Sequence, residues 1–124
     1  MAKQEIVTKK AATPGGSYSQ GLVAGNLVFT AGQMGTDPET GKRPEGIRAQ
    51  TERALKNVRA ILNEAGADLD DVVKVAVHLA DMDDFDDYDE VYRSFFKKPY
   101  PVRTTVQSGL HGALVEIDAI AVKK

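Results

Sequence analysis

The sequence predicts an α+β domain in which two helices cover one face of a mixed β-sheet. Two segments have apolar residues three and four positions apart, as in amphipathic helices. They are interspersed with short runs of β-branched residues, in the order strand, hairpin, helix, strand, helix and two strands. This order is typical of a two-layer α+β fold. A chain of 124 residues has the length of one domain, so we predict a single domain over 1–124.

The first third of the chain is predicted to form strands. Residues 4–7 form a short run of β-formers, and a loop rich in proline and glycine follows. Two apolar runs, 18–24 and 27–33, flank Gly25-Asn26, which is a strong signal for a two-residue hairpin turn.

The first helix is the clearest element. Its apolar stripe consists of Ile47, Thr51, Ala54, Leu55, Val58, Ile61, Leu62 and Ala65. Gly66 supplies a C-terminal stop. Asp68 is expected to cap a short turn before a strand over 72–79, with Val73, Val75, Val77 and Leu79 on one face.

A second helix is predicted over 85–96, with Asp84 as its cap. Phe85, Tyr88, Val91, Tyr92 and Phe95 form its stripe and are assigned to the core. Pro99 and Pro101 end this helix before the last two strands. Two helices can cover only one face of the sheet, so an apolar second face would have to bury itself in another copy of the chain.

Charged residues lie among β-formers in the last quarter of the chain. Arg103 is in the run 101–107, and Glu116 and Asp118 are in the run 113–122. Alternation places the two acids on the same side of their strand. Two interpretations remain open. In the first, these charges lie on the solvent-exposed side of a half-exposed sheet. In the second, Arg103 binds a carboxylate through paired hydrogen bonds, and an acid in the same cavity activates a water.

Composition excludes several classes of protein. There is no cysteine, which rules out disulfides, cysteine-ligated metals and thiol nucleophiles. His78 and His111 match no ligand spacing, so we predict neither a metal site nor a cofactor. The formal net charge of -2 argues against broad nucleic-acid binding. The sequence has no apolar run of membrane-spanning length and no signal-peptide core, which predicts a cytoplasmic protein.

Four motifs resemble, in order and spacing, those of the RidA/YjgF family: residues 16–21 (GSYSQG), 29–33 (FTAGQ), 100–105 (YPVRTT) and 115–121 (VEIDAIA). The resemblance runs nearly end to end. It implies a chorismate-mutase-like fold, assembled as a homotrimer around a central barrel with sites between subunits. It also implies hydrolysis of enamine and imine carboxylates, such as 2-aminoacrylate, to 2-keto acids and ammonia.

The resemblance also assigns roles to five positions. Arg103 matches the arginine that grips the substrate carboxylate, and Glu116 matches the acid that orients or activates the attacking water. Tyr18 matches a tyrosine that lines the cleft from the neighbouring subunit. Gly32 matches a position where backbone groups contact the ligand, and Thr105 replaces a cysteine whose carbonyl holds the water.

Three positions depart from the family pattern. Ser17 replaces a proline, Ala31 replaces a serine of the pocket, and Asp89 replaces an asparagine. Ala31 and Asp89 remain predicted substrate-binding positions. Because Arg103 and Glu116 are both present, these departures bear on substrate range more than on reaction class.

Two other functions remain open. In the first, the protein is a non-catalytic member of the family that binds small carboxylates or acts as a regulator or chaperone-like scaffold. This function needs Arg103 but not Glu116. The second is an endoribonuclease or translation inhibitor, a label carried by several members of the family. The negative net charge and the lack of a histidine pair or an aromatic-basic platform speak against it.

Overall fold

The computed structural model describes residues 2–123 and contains one mixed sheet with two α-helices. The strands are β1 (Lys3–Ile6), β2 (Gly21–Ala24), β3 (Leu27–Thr30), β4 (Gln33–Met34), β5 (Val72–Leu79), β6 (Val102–Gln107) and β7 (Val115–Val122). The helices are α1 (Ile47–Glu64) and α2 (Phe85–Phe95). Short 3₁₀ turns, Leu69–Asp71 and Met82–Asp84, precede β5 and α2.

The strand order is β1-β2-β3-β7-β5-β6, and the short β4 also pairs with β7. Only β5 and β6 are parallel, and α2 connects them. Every other pair is antiparallel. This confirms the predicted mixed sheet, and it leaves β6 as an edge strand that pairs only with β5.

Both helices pack on the same face of the sheet, as the two-layer prediction requires. The stripe of α1 is buried as expected, with Leu55, Ile61 and Leu62 fully inaccessible. They meet the inward side chains of the central strands, such as Val77 and Ile117. Close packing of these aliphatic side chains supplies the main stabilisation of the fold.

Local signals for turns and caps are mostly confirmed. Gly25 adopts a left-handed φ of 62° in the β2–β3 hairpin. Asp68 accepts a hydrogen bond from the Leu69 amide and forms a reciprocal capping box with Asp71. Asp84 is the N-cap residue of α2, as predicted, but its side chain makes no capping hydrogen bond.

Two strand predictions need correction. Tyr18, Ser19 and Gln20 precede β2 rather than belonging to it, and the predicted strand 27–33 is interrupted after Thr30. The Ala31 amide donates to the Gln20 carbonyl at 2.8 Å, in register with the β2–β3 pairs, whereas pairing with β7 stops after Phe29 and resumes at Gln33 with a one-residue shift.

The predicted placement of Val73 with Val75 and Val77 is also wrong. A β-bulge between Val72 and Lys74 shifts the register against β7, so Val72 turns inward and Val73 is 46% exposed.

The second face of the sheet, called here the open face, is not covered by any described element. It presents alternate residues of the strands, which include Leu27, Phe29, Ala76, Val102, Val106 and Ile120. Val102 is 68% exposed at the edge, although it is a large aliphatic residue. A sheet face of this kind favours burial against another chain.

Candidate active site

Arg103 points from the edge strand β6 towards α2. Its backbone pairs with Val75, a core residue, so its side chain lies on the helix-covered face of the sheet. The guanidinium carbon lies 4.6 Å from the ring centre of Tyr92, 5.3 Å from that of Tyr88 and 5.5 Å from that of Phe85. These three cation–π contacts fix the position of the guanidinium.

Asp89 completes the surroundings of Arg103. Its Oδ1 accepts a hydrogen bond from Arg103 Nη1 at 2.6 Å, and its Oδ2 lies 3.7 Å from Arg93 Nη1. One side of α2 packs over β6. The residues on this side are three or four positions apart, as helical geometry requires: Phe85, Tyr88, Asp89 and Tyr92.

A pocket of about 380 Å³ opens beside this arrangement. It is lined by Asp89, Tyr92, Arg93, Tyr100, Pro101 and Arg103. The size suits a small organic acid.

The local charges are well defined. Burial lowers the pKa of Arg103, but the hydrogen bond to Asp89 and the nearby anion outweigh it, so the net shift is upward and the guanidinium stays charged. Burial raises the pKa of Tyr92 to about 12 and also raises that of Tyr88. Both phenols are therefore neutral near pH 7, and the pocket offers a cation held between uncharged rings.

Glu116 lies on the other face of the sheet. It pairs with His78 on β5 and with Met34 on β4, and its neighbours Val115 and Ile117 point into the core. Two strand spacings, about 10 Å, separate β6 from β7. Within a single chain Arg103 and the acids of β7 therefore do not share one cavity, because they lie on opposite faces of the sheet.

Gly32 lies against Glu116. A Cβ atom on Gly32 would come within 2.7 Å of the Glu116 Cδ, so only glycine allows this approach. Ala31 precedes it in the break between β3 and β4. These three positions form one cluster, on the Glu116 side of the molecule.

Asp118 is on the same side as Glu116, as alternation predicted. Burial raises the pKa of its carboxyl, while nearby His78 and Lys74 act in the opposite direction. His78 Nδ1 also forms a 2.7 Å hydrogen bond with Ser108 Oγ.

The remaining predicted residues are dispersed. Thr105 Oγ1 forms a 2.8 Å hydrogen bond with Tyr88 Oη, and Tyr88 is one of the rings that contact Arg103. Tyr18 is 54% exposed on the loop before β2, where its hydroxyl accepts a hydrogen bond from the Gly15 amide at 3.1 Å. Asp89, Arg103 and Thr105 therefore lie in one cluster, Ala31, Gly32 and Glu116 lie in a second cluster, and Tyr18 lies in neither.

Sequence reasoning missed the aromatic surroundings of Arg103. Phe85, Tyr88 and Tyr92 were expected to be core alone, and Arg93 and Tyr100 were not expected at the site. The sequence did contain one indication of this arrangement. The three rings and Asp89 lie on the same side of the predicted helix, and an acid among aromatic residues indicates that this side faces a cation such as Arg103.

Within residues 2–123, no three histidine, aspartate or glutamate side chains lie together as a metal-binding group. Neither α1 nor α2 combines the length and apolar character that crossing a bilayer requires. The cytoplasmic location stays a prediction.

Comparison with known proteins identifies the family. Residues 8–123 match the family model described as endoribonuclease L-PSP. A RutC family protein of Pyrococcus abyssi is 47% identical, and the alignment covers 100% of both chains. The mouse protein named 2-iminobutanoate/2-iminopropanoate deaminase is 40% identical, over 98% of this chain and 92% of its own.

The fold leads to the same family. The crystal structure of RidA from an Antarctic Psychrobacter species superposes with a TM-score of 0.93 at 43% identity, over 96% of this chain and 98% of that one. The chain therefore belongs to the endoribonuclease L-PSP family, also known as the RidA/YjgF family, as its four motifs predicted. That family includes proteins named as imine deaminases.

Proposed function

We propose that this protein is a cofactor-independent deaminase that hydrolyses small enamine and imine carboxylates to 2-keto acids and ammonia. The observation that carries the proposal is the fixed guanidinium of Arg103 in a pocket sized for a small organic acid. Its planar N–H groups suit a carboxylate. The deaminase names of relatives support the same reaction class.

The chemistry needs few protein groups. The carbon of a protonated imine is already electrophilic, so the site has to hold the carboxylate, position a water and accept a proton. Water oxygen forms a bond to the imine carbon while the C=N π electrons move to nitrogen, and Glu116 takes the water proton. Glu116 then returns this proton to the carbinolamine nitrogen, the C–N bond breaks to release ammonia, and the hydroxyl proton passes to Glu116 as the C=O bond of the keto acid forms.

We propose further that the site is completed by assembly into a homotrimer. Arg103 and Glu116 lie on opposite faces of one sheet, so they can meet at one substrate only if they come from different copies. The apolar open face supports association. In this arrangement the half-site around Arg103 faces the half-site of Gly32, Ala31 and Glu116 from another chain, and the exposed Tyr18 closes the cleft.

The test is ammonia release from 2-iminobutanoate or 2-aminoacrylate generated in situ, with no cofactor added. We expect turnover by the wild-type protein and a loss of at least about 100-fold in kcat/KM for Arg103→Ala and for Glu116→Gln. Undiminished turnover by Arg103→Ala would refute the proposal. Light scattering should give three times the 13.4 kDa chain mass, ~40 kDa.

A second candidate is a member that binds small carboxylates without turnover. The observation that favours it is Asp89, which already occupies one N–H group of Arg103. Ligand binding that survives Glu116→Gln, with no ammonia release by any variant, would support this candidate over the deaminase.

A further inference from the structure

We propose that Asp89 determines specificity in the Arg103 pocket by selecting zwitterions over plain anions. The favoured ligands carry a carboxylate next to a protonated imine or amine nitrogen, and the disfavoured ones are simple keto acids. The inference rests on the proposed function in taking this pocket as the substrate site.

The geometry leaves one oxygen of Asp89 open to a ligand. Oδ1 accepts the 2.6 Å hydrogen bond from Arg103, while Oδ2 lies 3.7 Å from Arg93, beyond hydrogen-bond distance. Among the described residues, no other partner hydrogen-bonds to the Asp89 carboxylate. Its side chain is 28% exposed and lines the pocket, so a ligand in the pocket can reach the carboxylate, although Oδ2 also forms a long ion pair with Arg93.

Arg103 also has donors left for a ligand. A guanidinium carries five N–H groups, and only one of them, on Nη1, bonds to Asp89 in the described chain. A carboxylate can therefore bind the remaining donors while Asp89 stays in place. A nitrogen cation on the adjacent carbon then lies close enough to donate to Asp89.

The charges around the pocket favour this arrangement. Arg93 and Arg103 attract the carboxylate of a ligand, and Asp89 supplies the negative charge with which a cationic nitrogen of the ligand can pair. A zwitterion pairs each of its charges with an opposite one. A keto acid has the carboxylate alone, and its ketone oxygen cannot donate a hydrogen bond, so Asp89 repels it.

The difference between a zwitterion and a plain anion is also the difference between the substrate and the product of the proposed reaction. A protonated imine brings the cationic nitrogen that Asp89 attracts, and hydrolysis removes that nitrogen as ammonia. The keto acid left behind then faces an uncompensated carboxylate. Asp89 therefore weakens product binding relative to substrate binding, which favours release.

The experiment compares two ligands of equal carbon number, 2-aminobutanoate as the zwitterion and 2-oxobutanoate as the anion. Their dissociation constants are measured at pH 7 by NMR titration of wild type, Asp89→Asn and Asp87→Asn. We expect the wild-type preference for the zwitterion to fall by about tenfold or more in Asp89→Asn, because the repulsion of the anion and the attraction of the cation are both lost.

Asp87→Asn is the matched control. It removes the same charge from the same helix, but Asp87 is exposed and pairs with Arg48 instead of lining the pocket. Its ligand preference should equal that of wild type.

An Asp89→Asn preference within about twofold of wild type would overturn the inference, because a discriminating charge must change the ratio. If that variant does not fold, the wild-type protein alone decides. Equal affinity for the two ligands, or binding of neither at millimolar concentration, overturns the inference as well. If Asp89→Asn changes the ratio of the two dissociation constants but the wild-type protein shows no deaminase turnover, the deaminase proposal is refuted and the selection by Asp89 stands.

Discussion

Replacing Gly32 with alanine should separate catalysis from stability. The added Cβ would lie 2.7 Å from Glu116 Cδ and 2.8 Å from Oε1. Ordinary contact begins at 3.4 Å, so the carboxyl has to move by about 0.7 Å. The backbone of Gly32 is not in the left-handed region, so alanine adds no backbone strain there.

The displacement should fall mainly on activity. A misplacement of about 1 Å can cost a factor of about 100 in rate, so we expect kcat/KM for 2-iminobutanoate to fall between about 10-fold and 100-fold. The Glu116 side chain is flexible and can rotate away, so the free energy of unfolding should fall by less than about 1 kcal/mol. Ammonia release and urea unfolding measure the two effects.

Gly109→Ala is the matched control, because a Cβ at Gly109 meets no atom within 4 Å. It should retain the wild-type kcat/KM. Wild-type kcat/KM in Gly32→Ala would refute the idea that the position of the Glu116 carboxyl controls the reaction.

Three other changes test the surroundings. Thr105→Val removes the hydrogen bond to Tyr88 and should cost about 1 kcal/mol of unfolding free energy with kcat/KM within about threefold of wild type; a larger loss of activity would contradict a backbone role for this residue. Asn57→Ala removes a buried amide that donates to the Thr36 carbonyl at 2.8 Å, and urea unfolding should show a loss of about 2–3 kcal/mol. A loss below about 0.5 kcal/mol would be incompatible with that bond. Asp118→Asn should raise Tm at pH 7, because burial raises the pKa of the folded-state carboxyl and so makes its charged form unfavourable. The gain should disappear as pH falls below the ordinary carboxyl pKa of 3.8, and a gain independent of pH would contradict this cause.

The sequence was most informative where the signal is local. The stripe of α1 and the alternation along β7 are fixed by neighbours a few residues apart, so periodicity alone located them. Val73 was misplaced because a bulge depends on the partner strand. Alternation within β5 contains no information on that register.

The candidate site residues could be proposed from the sequence, but their arrangement in the fold could not. Whether Arg103 and Glu116 share a face depends on two strand registers, one parallel and one antiparallel, that meet at β5. Neither register is encoded in the local pattern of β6 or β7. The contact between Arg103 and Asp89 likewise arises only once α2 packs over β6.

The most direct test is complementation between two inactive variants, Arg103→Ala and Glu116→Gln, refolded together in equal amounts. If each site takes its arginine and its glutamate from different chains, random assembly leaves about one quarter of the sites with both residues intact. We therefore expect the mixture to regain about one quarter of the wild-type deaminase activity. A mixture as inactive as its parent variants, despite confirmed mixed trimers, would contradict a site shared between chains.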